Sequence, residues 1–200
     1  MDISCIVLAG GKSLRLGRDK AFETVDNRNL LQWVLFRLRM FNSEVVLVTS
    51  AEQPFIQFTG HPRLKIVTDN YPGKGPLGGI YTGLVASESL YNLVIACDML
   101  FLNQGLLRYM MQLLADFDLV VPRLGKLVEP LHSIYSKSCL APIESLLRQG
   151  SLQVYQLFSL VKVRYVEAEE IDKFDPQHLS FFNINTEADL EKARELIKSV

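Results

Sequence analysis

The chain has few of the residues that announce a specialised covalent or metal scaffold. Its three cysteines, Cys5, Cys97 and Cys139, are odd in number and widely spaced. That excludes a disulfide framework and a thiolate zinc site, and it suits a reducing cytoplasm. Neither sign of charge dominates: 21 basic against 22 acidic residues give a net charge of −1. Nothing in that balance attracts nucleic acid or an acidic membrane in bulk, so any attraction for a phosphate ligand must be local. No apolar run is long enough to span a bilayer, and the N-terminus enters a strand with no signal-peptide pattern. Repeats, low-complexity tracts and interdomain linkers are also lacking. At 200 residues the chain suits one domain, residues 1–200, with a core that needs no staples.

What is present is concentrated near the start. Residues 3–8 form an apolar run that reads as a buried strand. It leads into Leu8-Ala9-Gly10-Gly11-Lys12-Ser13-Leu14-Arg15-Leu16-Gly17-Arg18-Asp19-Lys20. The glycines allow a backbone path that residues with a Cβ resist, and inward N–H groups in such a loop can surround an anion. Lys12, Arg15, Arg18 and Lys20 add cations against Asp19 alone. The stretch reads as a phosphate site or as a surface turn with solvated charges. It is not a P-loop, because the glycine required five positions before Gly11 is replaced by Ile6. Nor is it the dinucleotide fingerprint, because Gly10 and Gly11 are adjacent and the next glycine is Gly17.

Further along, helical spacing over residues 30–41 predicts a helix containing Trp33, a packing residue before a base-stacking one. Residues 45–48 and 64–67 read as buried strands, with a short helix predicted over 52–58 between them. The strand ends leave Thr49, Ser50 and Asp69 where ligands gather in open α/β sheets. His61, among turn residues, is expected to be exposed. Residues 70–79, with two prolines and four glycines, read as a loop, and a helix is expected from Ile80 to about Ser87. Residues 93–97 form another apolar strand ending in Cys97-Asp98. A carboxylate there suits Mg²⁺, a hard cation, or caps a helix. Cys97 reads as a small core residue.

Asn103 is placed to cap a helix to Leu114. A strand is expected over 118–122, with Pro122 at its end, then a basic turn over 123–126. His132 is a candidate for acid–base work or a hydrogen-bonded structural residue. Helices are expected over 138–147 and on to Leu160, a strand over 161–166, and an acidic loop with one helical turn over 167–178. Thr186 and Asp189 have capping-box spacing for a terminal helix, which leaves Asn183 and Asn185 on one side of an extended segment.

The residues quoted above also resemble the signature sequences of the molybdenum cofactor guanylyltransferases, within the Rossmann-like nucleotidyltransferases. Five motifs occur in that family's order: Leu8-Ala9-Gly10-Gly11 through Asp19-Lys20, Gly75-Pro76-Leu77, Ala96-Cys97-Asp98, Pro130-Leu131 with Tyr135, and Asn183-Ile184-Asn185-Thr186. The likeness covers nearly the whole chain. It departs at Leu16, where methionine is usual, at Leu100, where proline is usual, and near Thr49, where an asparagine is often found. Leu16 preserves volume, and Leu100 implies a shifted loop.

The resemblance implies a three-layer α/β fold with a mostly parallel central sheet and one antiparallel strand. It implies GMP transfer from GTP to a molybdopterin cofactor, with release of pyrophosphate and Mg²⁺ as cofactor. Nucleotide contacts would come from Leu8, Ala9, Gly10, Gly11, Lys20, Asp69, Pro76, Leu77, Gly78 and Asp98. Arg15, Lys20 and Asp98 would act in catalysis, and Asp98 with Asn185 would hold the metal. The Ala-Gly-Gly and Gly-Pro-Leu sequences lean towards guanine over cytosine. Molybdoenzyme-maturation proteins are implied partners, with no nucleic acid or membrane. The alternatives are a CTP-dependent or sugar-phosphate nucleotidyltransferase, and a non-catalytic nucleotide-binding module.

Overall fold

Alternation of strand and helix along the chain produces a layered α/β structure. The computed structural model describes residues 3–9, 20–50 and 61–198; for Lys20 it describes the backbone alone. Strand β1 (Ile3–Leu8) is buried at every position, as an apolar run with no polar alternation requires. A small hairpin, β2 (Thr24–Val25) with β3 (Arg28–Asn29), leads into helix α1 (Leu30–Leu38). Asn29 caps α1 by accepting from Gln32 N–H at 2.8 Å, and the Gln32 side chain returns the bond to Asn29 N–H at 2.9 Å. Then come β4 (Val45–Thr49), β5 (Leu64–Thr68), α2 (Gly75–Ala86) and β6 (Tyr91–Ala96). Helix α3 (Gln104–Gln112) and strands β7 (Leu119–Leu124), β8 (Leu127–Val128) and β9 (His132–Ser136) follow. The chain closes with α4 (Leu140–Arg148), β10 (Val163–Glu167), α5 (Ala168–Ile171) and α6 (Glu187–Lys198).

The main sheet has the order β10-β7-β9-β6-β1-β4-β5, with β8 also on β7. Its ladders are parallel except where β9 meets β6 and β7, and where β8 meets β7. A single reversed segment in a parallel sheet was the expectation, and the structure bears it out. Side chains alternate between two cores. Cys5, Val7, Leu47, Leu93 and Ile95 face Leu31, Leu35, Leu106 and Met110 of α1 and α3. Ile6, Leu8, Val46, Val48 and Val94 face Leu77, Ile80, Leu84, Ile143 and Leu147 of α2 and α4. A third cluster joins Val25, Leu30, Leu100 and Phe101 to Ile184, Leu190 and Ala193.

Several expectations need correction. Helix α2 begins at Gly75, inside the stretch read as a loop. Pro76 lies in its first turn, where a missing N–H costs nothing. Gly78, Gly79 and Gly83 lie within the helix because the space beside them is taken. A Cβ on Gly83 would sit 2.3 Å from Ile6 Cγ2, and one on Gly79 would sit 3.2 Å from Leu8 Cδ2. Helix α2 therefore rides directly on β1. Strand β7 runs past Pro122 to Leu124. The ladder from β7 to β9 pairs Val120 with Ile134, but the ladder to β8 resumes at Arg123 and Val128, three residues out of register. Pro122, which has no N–H to donate, stands where the ladder is interrupted. His61 is buried, and its Nδ1 accepts from Arg63 N–H at 3.3 Å. The second helix expected before Leu160 is a 3-10 segment, Val154–Ser159. The helix predicted over 52–58 lies outside the described residues.

Candidate active site

Three strand ends are stitched together at one edge of the sheet. Cys97 N–H donates to Leu8 C=O at 3.1 Å, and Ala9 N–H donates to Val48 C=O at 3.0 Å. Leu8 and Ala9, both buried, thus bring the start of the glycine stretch against the ends of β4 and β6. Gly10, Gly11 and Arg15 lie outside the described residues. Lys20 opens a 3-10 turn, Lys20–Phe22, whose Ala21 is buried in the core beside α1.

Asp69 follows β5 at the same edge, with its N–H donating to Thr49 C=O at 2.8 Å. Its Oδ1 accepts from Tyr71 N–H at 2.9 Å and from the Thr82 hydroxyl at 3.0 Å. Thr82 Oγ1 in turn accepts from Asn70 N–H at 3.0 Å. Asp69 therefore fixes the 69–74 loop onto α2, a role that its place after a strand did not disclose. Two left-handed glycines, Gly73 (φ 77°) and Gly75 (φ 63°), turn that loop into the helix. Gly78 lets it close, because a Cβ there would lie 2.9 Å from Tyr71 O. Pro76 is exposed at the helix start, while the Leu77 side chain is wholly in the core. A ligand at this corner would meet the backbone around Leu77, not its side chain.

Asp98 stands two residues beyond β6, partly buried. Its C=O accepts from Ile184 N–H at 3.4 Å, which brings the Asn183–Asn185 segment to it. That segment is not part of the sheet; it is held by a strap from α5. Asp175, buried, accepts from Leu179 N–H at 3.1 Å and Ser180 N–H at 2.8 Å. Ser180 Oγ accepts from Asn103 N–H at 3.1 Å and donates to Phe101 C=O at 3.3 Å. Leu100, the residue in place of the family's proline, is buried beside Ile184 and Leu190 and helps seat the strap. Asp189 then accepts from the N–H groups of Asn185 at 3.0 Å and Thr186 at 2.8 Å, and its own N–H donates to Thr186 Oγ1 at 3.2 Å. The expected capping box is present, and it also orients Asn185.

Glu129, partly buried, is a residue the sequence reading passed over. Its carboxyl is held above the ordinary carboxylate range, first by burial and then by the charge of Asp98. Its place immediately before the Pro130-Leu131 motif was the available signal. Oxygen donors thus dominate this corner, as a hard cation requires. Among the described residues no group of three or more His, Cys, Asp or Glu could hold a metal. A cation here would complete its shell with substrate oxygens and water, as Mg²⁺ commonly does at phosphate sites.

His132 does not behave as a base. It is fully buried, and among the described residues neither ring nitrogen has a hydrogen-bond partner. The hydrogen-bonded histidine of the sequence reading is corrected accordingly: the ring meets Phe181 edge-on, centroids 5.1 Å apart. Burial lowers its pKa to about 4 despite attraction from Asp175. Cys97 is buried, as expected. Trp33 is packed, with Nε1–H donating to Val25 C=O at 2.9 Å and the Arg28 guanidinium 4.9 Å above its ring.

Residues 5–164 match the profile of the MobA-like NTP transferase domain. A probable molybdenum cofactor guanylyltransferase from Pelotomaculum thermopropionicum is 36% identical over 194 residues, covering 97% of this chain and 93% of that one. A molybdenum cofactor guanylyltransferase from Syntrophotalea carbinolica is 34% identical, covering 96% and 90%. The crystal structure of molybdopterin-guanine dinucleotide biosynthesis protein A from Archaeoglobus fulgidus superposes with a TM-score of 0.85 at 28% identity, covering 98% of this chain and all of that one. A Thermus thermophilus 2-C-methyl-D-erythritol 4-phosphate cytidylyltransferase, 20% identical with a TM-score of 0.73, shares the fold. With strand β1 bonded to the Cys97 backbone and the Ile184 segment to that of Asp98, this chain belongs to the MobA-like NTP transferase family.

Proposed function

We propose that this chain transfers GMP from GTP to a molybdopterin cofactor, forming a molybdopterin guanine dinucleotide cofactor, and that residues 1–200 act as one domain. The observation that carries the reading is the convergence of Leu8, Cys97-Asp98 and the Ile184 segment at one sheet edge, through bonds of 3.1 Å and 3.4 Å. The names of the relatives support the reaction, and the Ala-Gly-Gly and Gly-Pro-Leu sequences support guanine over cytosine.

A terminal phosphate oxygen of the acceptor attacks the α-phosphorus of GTP. The bond from that phosphorus to the bridging oxygen breaks, and its electron pair leaves with pyrophosphate. Little covalent chemistry falls to the protein, so positioning and charge neutralisation carry the acceleration. Backbone N–H groups of Gly10 and Gly11 hold the β- and γ-phosphates, and Arg15 and Lys20 neutralise the departing pyrophosphate. The backbone of Pro76, Leu77 and Gly78 meets the base, while Asp69 keeps that corner in place and contacts the nucleotide. Asp98, with Asn185, would hold Mg²⁺, which supplies Lewis-acid stabilisation of phosphate oxygens when bound. Delivery of the product to molybdoenzyme-maturation proteins in the cytoplasm completes the reading. No described helix is long and apolar enough to cross a membrane.

The test is product formation from GTP, Mg²⁺ and molybdopterin, read by mass spectrometry for wild type and Asp98→Ala. The variant should fold and form no dinucleotide. Full activity in it would remove Asp98 from the site.

A further inference from the structure

Helix α2 presses one face onto the loop that follows β5. Gly78 and Thr82 are four residues apart, so they lie on the same side of the helix. At Gly78 the loop comes so near that a Cβ would sit 2.8 Å from Tyr71 Cβ. One turn later Thr82, buried within the helix, meets the two residues before Tyr71. Its hydroxyl accepts from Asn70 N–H at 3.0 Å and donates to Asp69 Oδ1 at 3.0 Å. A hydroxyl inside a helix commonly donates to the carbonyl four residues back. Here the proton goes instead to a carboxylate outside the helix.

Turn geometry explains only part of what Asp69 does. Oδ1 accepts from Tyr71 N–H, two residues on, at 2.9 Å, an arrangement that asparagine makes as readily as aspartate. The backbone is fixed as well: Asp69 N–H donates to Thr49 C=O at 2.8 Å, one residue past the last pairing of β4 with β5. Oδ1 thus has two protein donors, while among the described residues Oδ2 has none and is not sealed from solvent. The loop needs one acceptor oxygen at this position, and the carboxylate supplies a second.

From this geometry we infer that Thr82 is a positioning residue for the nucleotide: by holding Oδ1, it fixes the Asp69 carboxylate so that Oδ2 receives a hydrogen-bond donor of GTP. An ionised carboxylate oxygen only accepts, so the group it meets must be an N–H or O–H. Two donors on Oδ1 also restrain the side chain before GTP arrives, which lowers the ordering cost of binding. The same helix carries the Gly75-Pro76-Leu77 corner in its first turn, so one rigid element holds both that backbone and the Asp69 oxygen. The inference rests on the transferase reading for the contact between Asp69 and GTP. It adds a residue from inside α2 that touches neither substrate nor reacting atoms and acts through Asp69.

The test is GTP binding to the full chain by calorimetry without acceptor, with KM and kcat for pyrophosphate release once molybdopterin is supplied. Circular dichroism and urea denaturation check the fold of each variant. Thr82→Val keeps the branched shape and removes the hydroxyl. It should weaken GTP binding about threefold to tenfold, the range of one lost hydrogen bond, and raise KM while kcat holds. Thr82→Ser keeps the hydroxyl and should bind GTP more tightly than Thr82→Val. Asp69→Asn keeps an acceptor for Tyr71 and Thr82 but turns the second oxygen into a donor, and should weaken binding about tenfold or more. In Asp69→Ala, adding Thr82→Val should change GTP affinity no further, because Thr82 acts through the carboxylate. If Thr82→Val binds GTP as wild type does while Asp69→Ala does not, the inference fails and the transferase reading stands. Equal weakening by Thr82→Val with and without the Asp69 carboxylate would also overturn it, marking Thr82 as a support of the whole loop. Unchanged GTP affinity in Asp69→Ala would remove both residues from the nucleotide site. If wild type itself neither binds GTP nor releases pyrophosphate, the inference and the transferase reading fall together.

Discussion

At position 132 an imidazole occupies a place that an aliphatic side chain could fill. It is wholly buried, and burial lowers its pKa to about 4. An unfolded chain binds that proton near pH 6.5. The neutral form is therefore favoured by folding. Its contribution is intact above pH 6.5 and is lost as the pH falls towards 4, because unfolding then takes up a proton. The loss amounts to about 1.4 kcal/mol per pH unit across that window. Urea denaturation at pH 7, 5.5 and 4.5 should show a shallower acid decline in His132→Leu than in wild type. Equal declines would mean that the residue is protonated at little cost. At pH 7 the variant should be at least as stable, since the ring nitrogens have no partners to lose among the described residues. The sequence could not show that Phe181, far along the chain, packs edge-on against His132.

Helix α2 shows how an element's composition can mislead. Proline and glycine within residues 70–79 read as breakers, because local propensity assigns both to turns. In the fold, Pro76 starts the helix and the glycines after it let the helix approach β1. Gly83→Ala puts a methyl 2.3 Å from Ile6 Cγ2, against a side chain that is itself fully buried. Overpacking of this kind costs about 1–3 kcal/mol, and the helix must shift to relieve it. The unfolding free energy from urea denaturation should fall by that amount in Gly83→Ala, and the midpoint should fall with it. The Michaelis constant for GTP should rise too, since the Gly75-Pro76-Leu77 corner moves with the helix. An unchanged midpoint would show that the close approach is not required. Elements marked by apolar runs or by capping residues were legible. The strands from residues 3, 45, 64 and 93, and the capped helices α3 and α6, lie where periodicity and caps predict. Proline at 122 was read as a terminus because the ladder shift that tolerates it lies in a partner strand.

Over the whole molecule, alternating strands and helices disclosed the α/β class, and the family resemblance implied the three layers and the reversed strand. Chain order alone could not disclose which strand ends meet. The sheet order places β1 between β4 and β6, so Leu8, Thr49 and Ala96 finish at one edge, with Asp69 and Asp98 just beyond. The strap from Asp175 to Asn185 then brings the chain's last motif to the same corner. Residues from five separated segments therefore meet without any one segment determining the meeting. The central claim is that this corner carries out guanylyl transfer to a pterin phosphate. The most direct measurement is pyrophosphate release by the purified chain with Mg²⁺ and each of the four nucleoside triphosphates, with and without molybdopterin. Release should require the acceptor and be fastest with GTP; equal or faster release with CTP, or none with GTP and acceptor together, would contradict it.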